Sequence, residues 1–201
     1  TYDAERTRAA DENILNSTRS TDFITPKSNV SRTFRDATLG LAKQHAFARR
    51  LVNSGRLSVP AILADSPLNT PDRDPDFAQR PGAMIPGAPA ADAPVEGPAG
   101  EWLLGYLGGD FTLLGFDAAV GPFGVAALAR EPIPCKVVQV GGKPTAGATT
   151  IADAEGLAAR RDEARPGTVY LLRPDQHVCA RWREFDLPGV RAAIARATAS
   201  E

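Results

Sequence analysis

Two cysteines and two histidines are the side chains best suited to chemistry in this 201-residue sequence. A reactive thiol pair gains thiolate character as Cys-x-x-Cys at the start of a helix. Neither Cys135 nor Cys179 has a second cysteine three residues away; Cys135 directly precedes one predicted strand, and Cys179 falls in another. We therefore expect two structural thiols rather than a redox centre.

The histidines do not indicate a metal site, because neither lies near a cluster of cysteine or aspartate residues. His45 falls on the apolar side of a predicted helix, where a satisfied core or interface histidine is expected. His177 opens a predicted strand, where it would stabilise the preceding turn. We predict no metal ligand in the chain.

Other catalytic and cofactor-binding motifs are equally absent from the sequence. Lys143 follows Gly142 but precedes Pro144 rather than serine or threonine, so this is not a phosphate-binding loop. No glycine cluster has the strand–turn–helix setting of a dinucleotide fingerprint, and Gly-x-Ser-x-Gly does not occur. We predict no catalytic and no cofactor-binding residue here.

Composition excludes several classes of protein. The net charge of −1 and pI near 6.1 argue against a nucleic-acid binder, and no apolar run reaches the roughly 18 residues of a membrane helix. A hydrophobic fraction of 43% suffices for a packed core. The low cysteine content favours a reducing compartment, so we expect a cytoplasmic location.

The pattern along the chain predicts three regions. Residues 1–59 are helical, with a polar helix up to about position 20 and a second helix over 31–55. The apolar stripe of that second helix comprises Phe34, Ala37, Leu41, His45, Ala48 and Val52. Residues 60–100 hold nine of the 17 prolines, which predicts a Pro/Gly-rich linker over a surface.

Residues 101–201 form the third region, an α/β domain with the element order β-α-β-α-β-β-α. We predict strands at 111–116, 136–140, 168–173 and 177–183, and helices at 121–130, 153–163 and 187–197. This is the order of a thioredoxin-like fold, with helices on both faces and no Cys-x-x-Cys. The cysteine-bearing strands would lie three spacings, roughly 14 Å, apart, which is too far for a disulfide.

The stretch Leu171–Trp182 closely resembles the closing signature of FAD-dependent aromatic-ring hydroxylases, the phenol and hydroxyphenylpropionate hydroxylase-like flavoprotein monooxygenases. Pro166–Tyr170 and Gly87–Pro94 fit the same family, and Tyr2–Arg6 is similar to the helix that ends its FAD domain. Arg8 replaces the proline usual after that helix motif. The signature residues are Arg173, Pro174, Asp175, Gln176, His177 and Trp182.

This resemblance implies that the chain is the C-terminal region of a longer enzyme, with residues 1–59 as the helical end of a missing FAD/substrate domain. The parent would use FAD, NAD(P)H and oxygen to hydroxylate a phenolic ring, with its FAD motifs outside these 201 residues. The thioredoxin-like domain of the family lacks redox cysteines and serves packing and oligomer contacts. The implied partners are the enzyme's own N-terminal FAD domain and a second copy in a homodimer.

Two other functions are compatible with the residues alone. One is a free-standing thioredoxin-like thiol oxidoreductase that uses Cys135 or Cys179. The other is a protein-binding module that uses the basic face of the 31–55 helix and the proline-rich segment.

Overall fold

A computed structural model describes residues 2–52, 60–77, 83–162 and 164–200. The chain forms two compact units, a helical unit over Tyr2–Ile62 and a sheet unit over Leu63–Glu201. The described residues between 63 and 100, within the predicted linker, thus pack as part of the sheet unit.

The helical unit contains α1 (Tyr2–Ile24), α2 (Asn29–Ala42) and α3 (Ala46–Val52). Ser28 begins α2 as its N-cap, because its hydroxyl accepts a hydrogen bond of 3.1 Å from the amide of Ser31.

The prediction of one helix over 31–55 is wrong, because the chain leaves the helix at positions 43–45. The amides of Lys43 and Gln44 bond to carbonyls three residues earlier, which tightens the last turn. The guanidinium of Arg49 donates to the carbonyl of Ala42 at 2.9 Å and satisfies the end of α2. Positions 53–55 lie outside the described residues.

Large apolar side chains of the helical unit are exposed, although their spacing predicts a buried stripe. Phe34 and Leu41 are 61% and 46% exposed, and His45, expected in a core or interface, is exposed as well. Only Ala48 of the stripe is buried. The exposed set comprises Ile14, Leu15, Ile24, Val30, Phe34, Leu39, Leu41, Phe47, Leu51 and Val52.

The sheet unit is built on five strands in the spatial order β3-β2-β1-β4-β5. β1 pairs in parallel with β2, and β2 with β3, whereas β4 runs antiparallel to both β1 and β5. The strands are β1 (Phe111–Phe116), β2 (Cys135–Val140), β3 (Thr149–Ile151), β4 (Val169–Leu172) and β5 (Val178–Trp182).

Helices of the sheet unit are α4 (Gly121–Ala129), α5 (Leu157–Asp162), α6 (Leu187–Ala197) and a 3₁₀ helix at Leu103–Tyr106. The structure confirms a mixed α/β unit, in which β1 and β2 are parallel across α4 and β4 and β5 form an antiparallel hairpin. A parallel crossover is expected over α5 as well, because a helix separates the strands, but that expectation is wrong: β4 runs antiparallel to β1. β3 is not predicted from the sequence, because a strand of three residues, two half-buried and one buried, is too short to show a pattern. No helix in the described ranges is long and apolar enough to cross a membrane.

Two apolar layers cover the faces of the sheet. One layer packs Leu113 and Leu171 with residues of α4 and α6. The other packs Leu114 and Tyr170 with the 3₁₀ helix, with α5 and with the fully buried Met84 of the proline-rich segment. Helices were expected on both faces, but extended chain covers much of this second one.

The proline-rich segment stays on this face by pairing with β5. The amide of Gly87 donates to the carbonyl of Val178 at 2.7 Å, and the amide of Val178 donates to Ala88 at 2.9 Å. Gly87 has a φ of +91°, and a Cβ there would overlap the backbone of Leu63. Backbone hydrogen bonds to β5 and the left-handed conformation of Gly87 thus hold this segment in place, because its prolines exclude a regular helix.

Candidate functional site

The carboxyl ends of parallel strands are where α/β sheets usually place reactive groups. At the ends of β1 and β2 lies a cavity of about 190 Å³, whose polar lining comprises Asp117, Asp153 and Arg165. No thiol lines this cavity. The edge where a thioredoxin-like redox motif would stand therefore offers carboxylates instead of cysteines.

Both aspartates of this cavity take part in backbone contacts at the ends of the strands. Asp117 has a φ of +46°, and its amide bonds to the carbonyl of Val140 at 3.0 Å. One oxygen of Asp153 accepts the amide of Ala159 at 2.9 Å and holds the turn that leads into α5. Within the described part of the chain, the lining offers no serine or cysteine nucleophile beside a histidine base.

Both cysteines are buried free thiols, separated across the sheet by β1 and β4. Cys135 opens β2, and Cys179 is the extra residue of a bulge in β5, where its carbonyl accepts the amide of Thr70 at 2.7 Å. Burial raises the pKa of each thiol to about 12. Both are protonated near neutral pH and are poor nucleophiles.

The structure brings five signature residues, 173–177, together in the turn between β4 and β5. The guanidinium of Arg173 donates to both oxygens of Asp175, at 3.2 and 2.6 Å. The amide of His177 donates to the same carboxylate at 3.3 Å, and the imidazole Nδ1 lies 3.4 Å from it. The Asp175 carboxylate is therefore the centre of the turn.

The charge of Asp175 is stabilised by these contacts. Partial burial alone would raise the pKa of Asp175, but hydrogen bonds from His177 and Arg173 outweigh it. The pKa of this carboxyl is held well below its usual range. Such a group contributes stability above its unfolded pKa, and the contribution is lost as the pH falls towards the folded pKa.

Gln176 joins this turn to two other segments. Its backbone has a φ of +66°, and its side-chain amide donates to the carbonyls of Leu104 and Leu107, both at 3.3 Å. Its own carbonyl accepts the amide of Ala90 at 2.8 Å. The turn thus holds the 3₁₀ helix and the proline-rich segment against the sheet.

The other two signature residues complete this picture. Pro174 contributes its carbonyl, which accepts the amide of Gly109 at 3.0 Å. Trp182 stands apart at the far end of β5, half-buried in the apolar layer under α6. The described contacts of the signature residues are therefore structural: they join the β4–β5 turn to neighbouring segments. We call such a set of contacts a fastener.

Sequence reasoning missed a second fastener on the other end of β5. Arg181, with 2% of its side chain exposed, donates to both oxygens of Asp72 at 3.0 and 2.6 Å. The Phe77 ring lies 4.3 Å from the Arg181 guanidinium and 3.8 Å from that of Arg183. The signal was available in the alternating arginines of the strand and the alternating aspartates between 72 and 76.

Comparison with known proteins shows what this fold resembles. The flavin-dependent monooxygenase PieE, solved with FAD and substrate, matches 90% of this chain with 32% of its own, at 23% identity and TM-score 0.60. RebC-10x matches all of this chain with 37% of its own, at 18% identity and TM-score 0.61. Aklavinone-11 hydroxylase, solved with FAD and aklavinone, matches 81% of this chain with 33% of its own, at 21% identity and TM-score 0.51.

These likenesses establish the fold and its extent. The chain spans about a third of the length of the solved proteins it matches. No family profile and no curated protein matched the sequence. The resemblance to FAD-dependent monooxygenases that the sequence indicates is confirmed at the level of the fold, over part of their length.

The described residues of the sheet unit do not fit FAD. The turn between β1 and α4, residues 117–120, consists of Asp117 and three small apolar residues and contains no glycine, where a dinucleotide site requires a glycine-rich turn. The three cavities described on the sheet unit enclose about 110, 190 and 210 Å³. Each is smaller than the roughly 300–1,000 Å³ typical of ligand and cofactor sites. Within the same ranges, no group of three His, Cys, Asp or Glu side chains could hold a metal ion.

The Asp175 contacts generate a prediction about stability. We expect Asp175→Asn to lower the free energy of unfolding near neutral pH by about 1–3 kcal/mol, because it removes charged hydrogen bonds. The difference should shrink as the pH falls below about 4, where the unfolded carboxyl protonates. Urea unfolding across this pH range measures it, and a difference that persists undiminished at low pH would contradict the role of the charge.

The buried thiols generate a prediction about reactivity. Neither Cys135 nor Cys179 should react with a thiol-specific disulfide reagent in the folded chain at mildly alkaline pH, because both pKa values are raised. Both should react fully after unfolding in guanidinium, which is the internal control. Rapid stoichiometric labelling of one folded thiol would restore the thiol oxidoreductase hypothesis.

Proposed function

We propose that this chain is the non-catalytic C-terminal region of an FAD-dependent monooxygenase that hydroxylates phenolic substrates with NAD(P)H and oxygen in the cytoplasm. Its sheet unit is a thioredoxin-like domain without redox cysteines, and its role is structural. The observation that carries this proposal is that almost the whole chain matches about a third of the length of solved flavin-dependent enzymes.

The exposed helical unit supports the proposal that a larger flavin-binding portion packs against it. Monomeric proteins rarely leave many large apolar side chains in contact with water. Among its described residues the helical unit exposes ten such side chains, including Phe34, Phe47 and Leu51 at about 60%. The matched enzymes are about three times longer than this chain. We therefore propose that a further portion of the same protein buries these apolar side chains.

The sheet unit supports a structural role because its signature residues serve as fasteners. Arg173, Asp175 and Gln176 satisfy one another and nearby carbonyl groups rather than lining a large cavity. Both thiols are buried. A domain of this kind stabilises the enzyme and offers a surface for subunit contacts, but it takes no part in the reaction.

The outer face of α4 supports the proposal of a homodimer. No charged or polar side chain occurs from position 118 to 129, and Phe123 is 81% exposed. A cavity of about 210 Å³ follows the C-terminal end of α4, with apolar walls from Pro132, Ile133 and Ile194 and with the Glu131–Arg191 ion pair also in its lining. Two copies related by a two-fold axis could exchange the Phe123 rings into these cavities, which closes the interface.

The proposed absence of catalysis is tested with the purified chain and its substrates. After incubation with FAD and desalting, the chain should retain no stoichiometric flavin absorbance, and it should not consume NADH or NADPH with phenol present. The same measurement on a flavin-dependent hydroxylase of known activity is the control. One FAD retained per chain would overturn the proposal.

The proposed dimer is tested by sedimentation equilibrium. The chain should associate reversibly, and Phe123→Ser should weaken the association at least about tenfold, because burying one phenylalanine contributes about 1.5–3 kcal/mol. Trp102→Ser, which removes another exposed aromatic side chain, is the matched control. Equal association of both variants would place the contact elsewhere.

A further inference from the structure

The helix α4 has an exposed aromatic ring at one end and a cavity at the other. Phe123 lies in its first turn and is 81% exposed, whereas Glu131 and Arg191 line the cavity that follows its last turn. A dry cavity of about 150 Å³ accommodates benzene, so a cavity of about 210 Å³ is large enough for a phenyl ring. The ring of one copy of the chain therefore fits the cavity of another by size.

An exchange of the two rings determines how the two helices run. Phe123 and Glu131 are eight positions apart, which corresponds to about 12 Å at the rise of an α-helix. A two-fold axis carries each ring to the other end of the second helix only if the helices are antiparallel and the axis passes near Ala127, the midpoint. The exposed side chains of Ala126 and Ala129 are small, which permits the helices to approach closely.

The charges at the two ends of α4 are complementary in this arrangement. The helix begins without a capping side chain or an acidic residue in its first turn, so no side chain of its own compensates the positive end of the helix dipole. Glu131, just beyond the other end, is contacted by Arg191 through Oε1 alone. Antiparallel pairing brings the Glu131 carboxylate of each copy beside the first turn of α4 in the other.

Arg191 gives the cavity a wall that suits an aromatic ring. Its guanidinium lies 2.6 and 2.7 Å from the Glu131 carboxylate, and its side chain remains 48% exposed. A guanidinium held in this way attracts the face of an aromatic ring, whereas an aliphatic side chain would gain only apolar contact. We propose that two copies of this chain pair through antiparallel α4 helices, with each Phe123 ring in the cavity of the other copy against Arg191.

This proposal rests on the homodimer of the preceding subsection and deepens it. It adds the direction and register of the paired helices, and it makes Arg191 the residue that selects an aromatic ring.

A double-mutant cycle, measured by sedimentation equilibrium, tests the contact between the ring and the guanidinium. Arg191→Met keeps a long side chain but removes the cation. It should weaken association at least about fivefold, because each dimer contains two such contacts. In a Phe123→Ser background the same substitution should have no further effect. Arg196→Met, on the same helix but outside the lining of this cavity, is the matched control.

A disulfide cross-link tests the register of the helices. Ala126 is exposed and lies next to the proposed axis, so Ala126→Cys should join two copies under mild oxidation. Ala154→Cys, at an exposed position in the turn before α5, is the control and should cross-link much more slowly. The two native thiols are buried and should not contribute.

The outcomes distinguish this arrangement from the homodimer itself. A chain that stays monomeric, or that associates equally with Phe123→Ser, would overturn both. Association that depends on Phe123 but not on Arg191, or equal cross-linking of the two cysteine variants, would overturn the arrangement and leave the homodimer in place.

Discussion

The hydrogen bonds of the Asp175 carboxylate are the interaction on which the β4–β5 turn and the segments packed against it depend. This carboxylate is held by Arg173 and His177 inside the β4–β5 turn. The conformation that it stabilises places Gln176 in the left-handed region, from where its side chain reaches the 3₁₀ helix. The same turn receives the amides of Ala90 and Gly109. A single ionised group therefore supports the hairpin and the segments that cover one face of the sheet.

That arrangement explains how a proline-rich segment becomes part of a core. Proline prevents a regular helix or strand, so residues 83–95 cannot satisfy their own backbone groups. They pair with the hairpin instead and bury Met84, Ala93 and Val95 against the sheet. Loss of the hairpin turn would release this cover.

Much of the fold is predictable from the sequence, because alternation and helical spacing report burial. The strand at 111–116 and the helix at 187–197 lie where the pattern indicates. The break at 43–45 is not predicted, since the apolar spacing continues across it, and the Arg49 guanidinium that caps the end of α2 lies in the next helix. The Arg181–Asp72 pair joins residues far apart in sequence, and only the folded structure brings them together. The signature residues 173–177 were identified from sequence, but their partners, and hence their role as fasteners, were not.

The central claim is that this chain is one part of a larger flavin-dependent enzyme, and the coding DNA immediately upstream of Thr1 tests it most directly. We expect the reading frame to continue into a strand, a Gly-x-Gly-x-x-Gly turn and a helix, followed later by a Gly-Asp segment. That arrangement would supply the phosphate-binding turn that the described residues lack. A start codon directly upstream, with no such frame, would contradict the account and leave a free-standing domain.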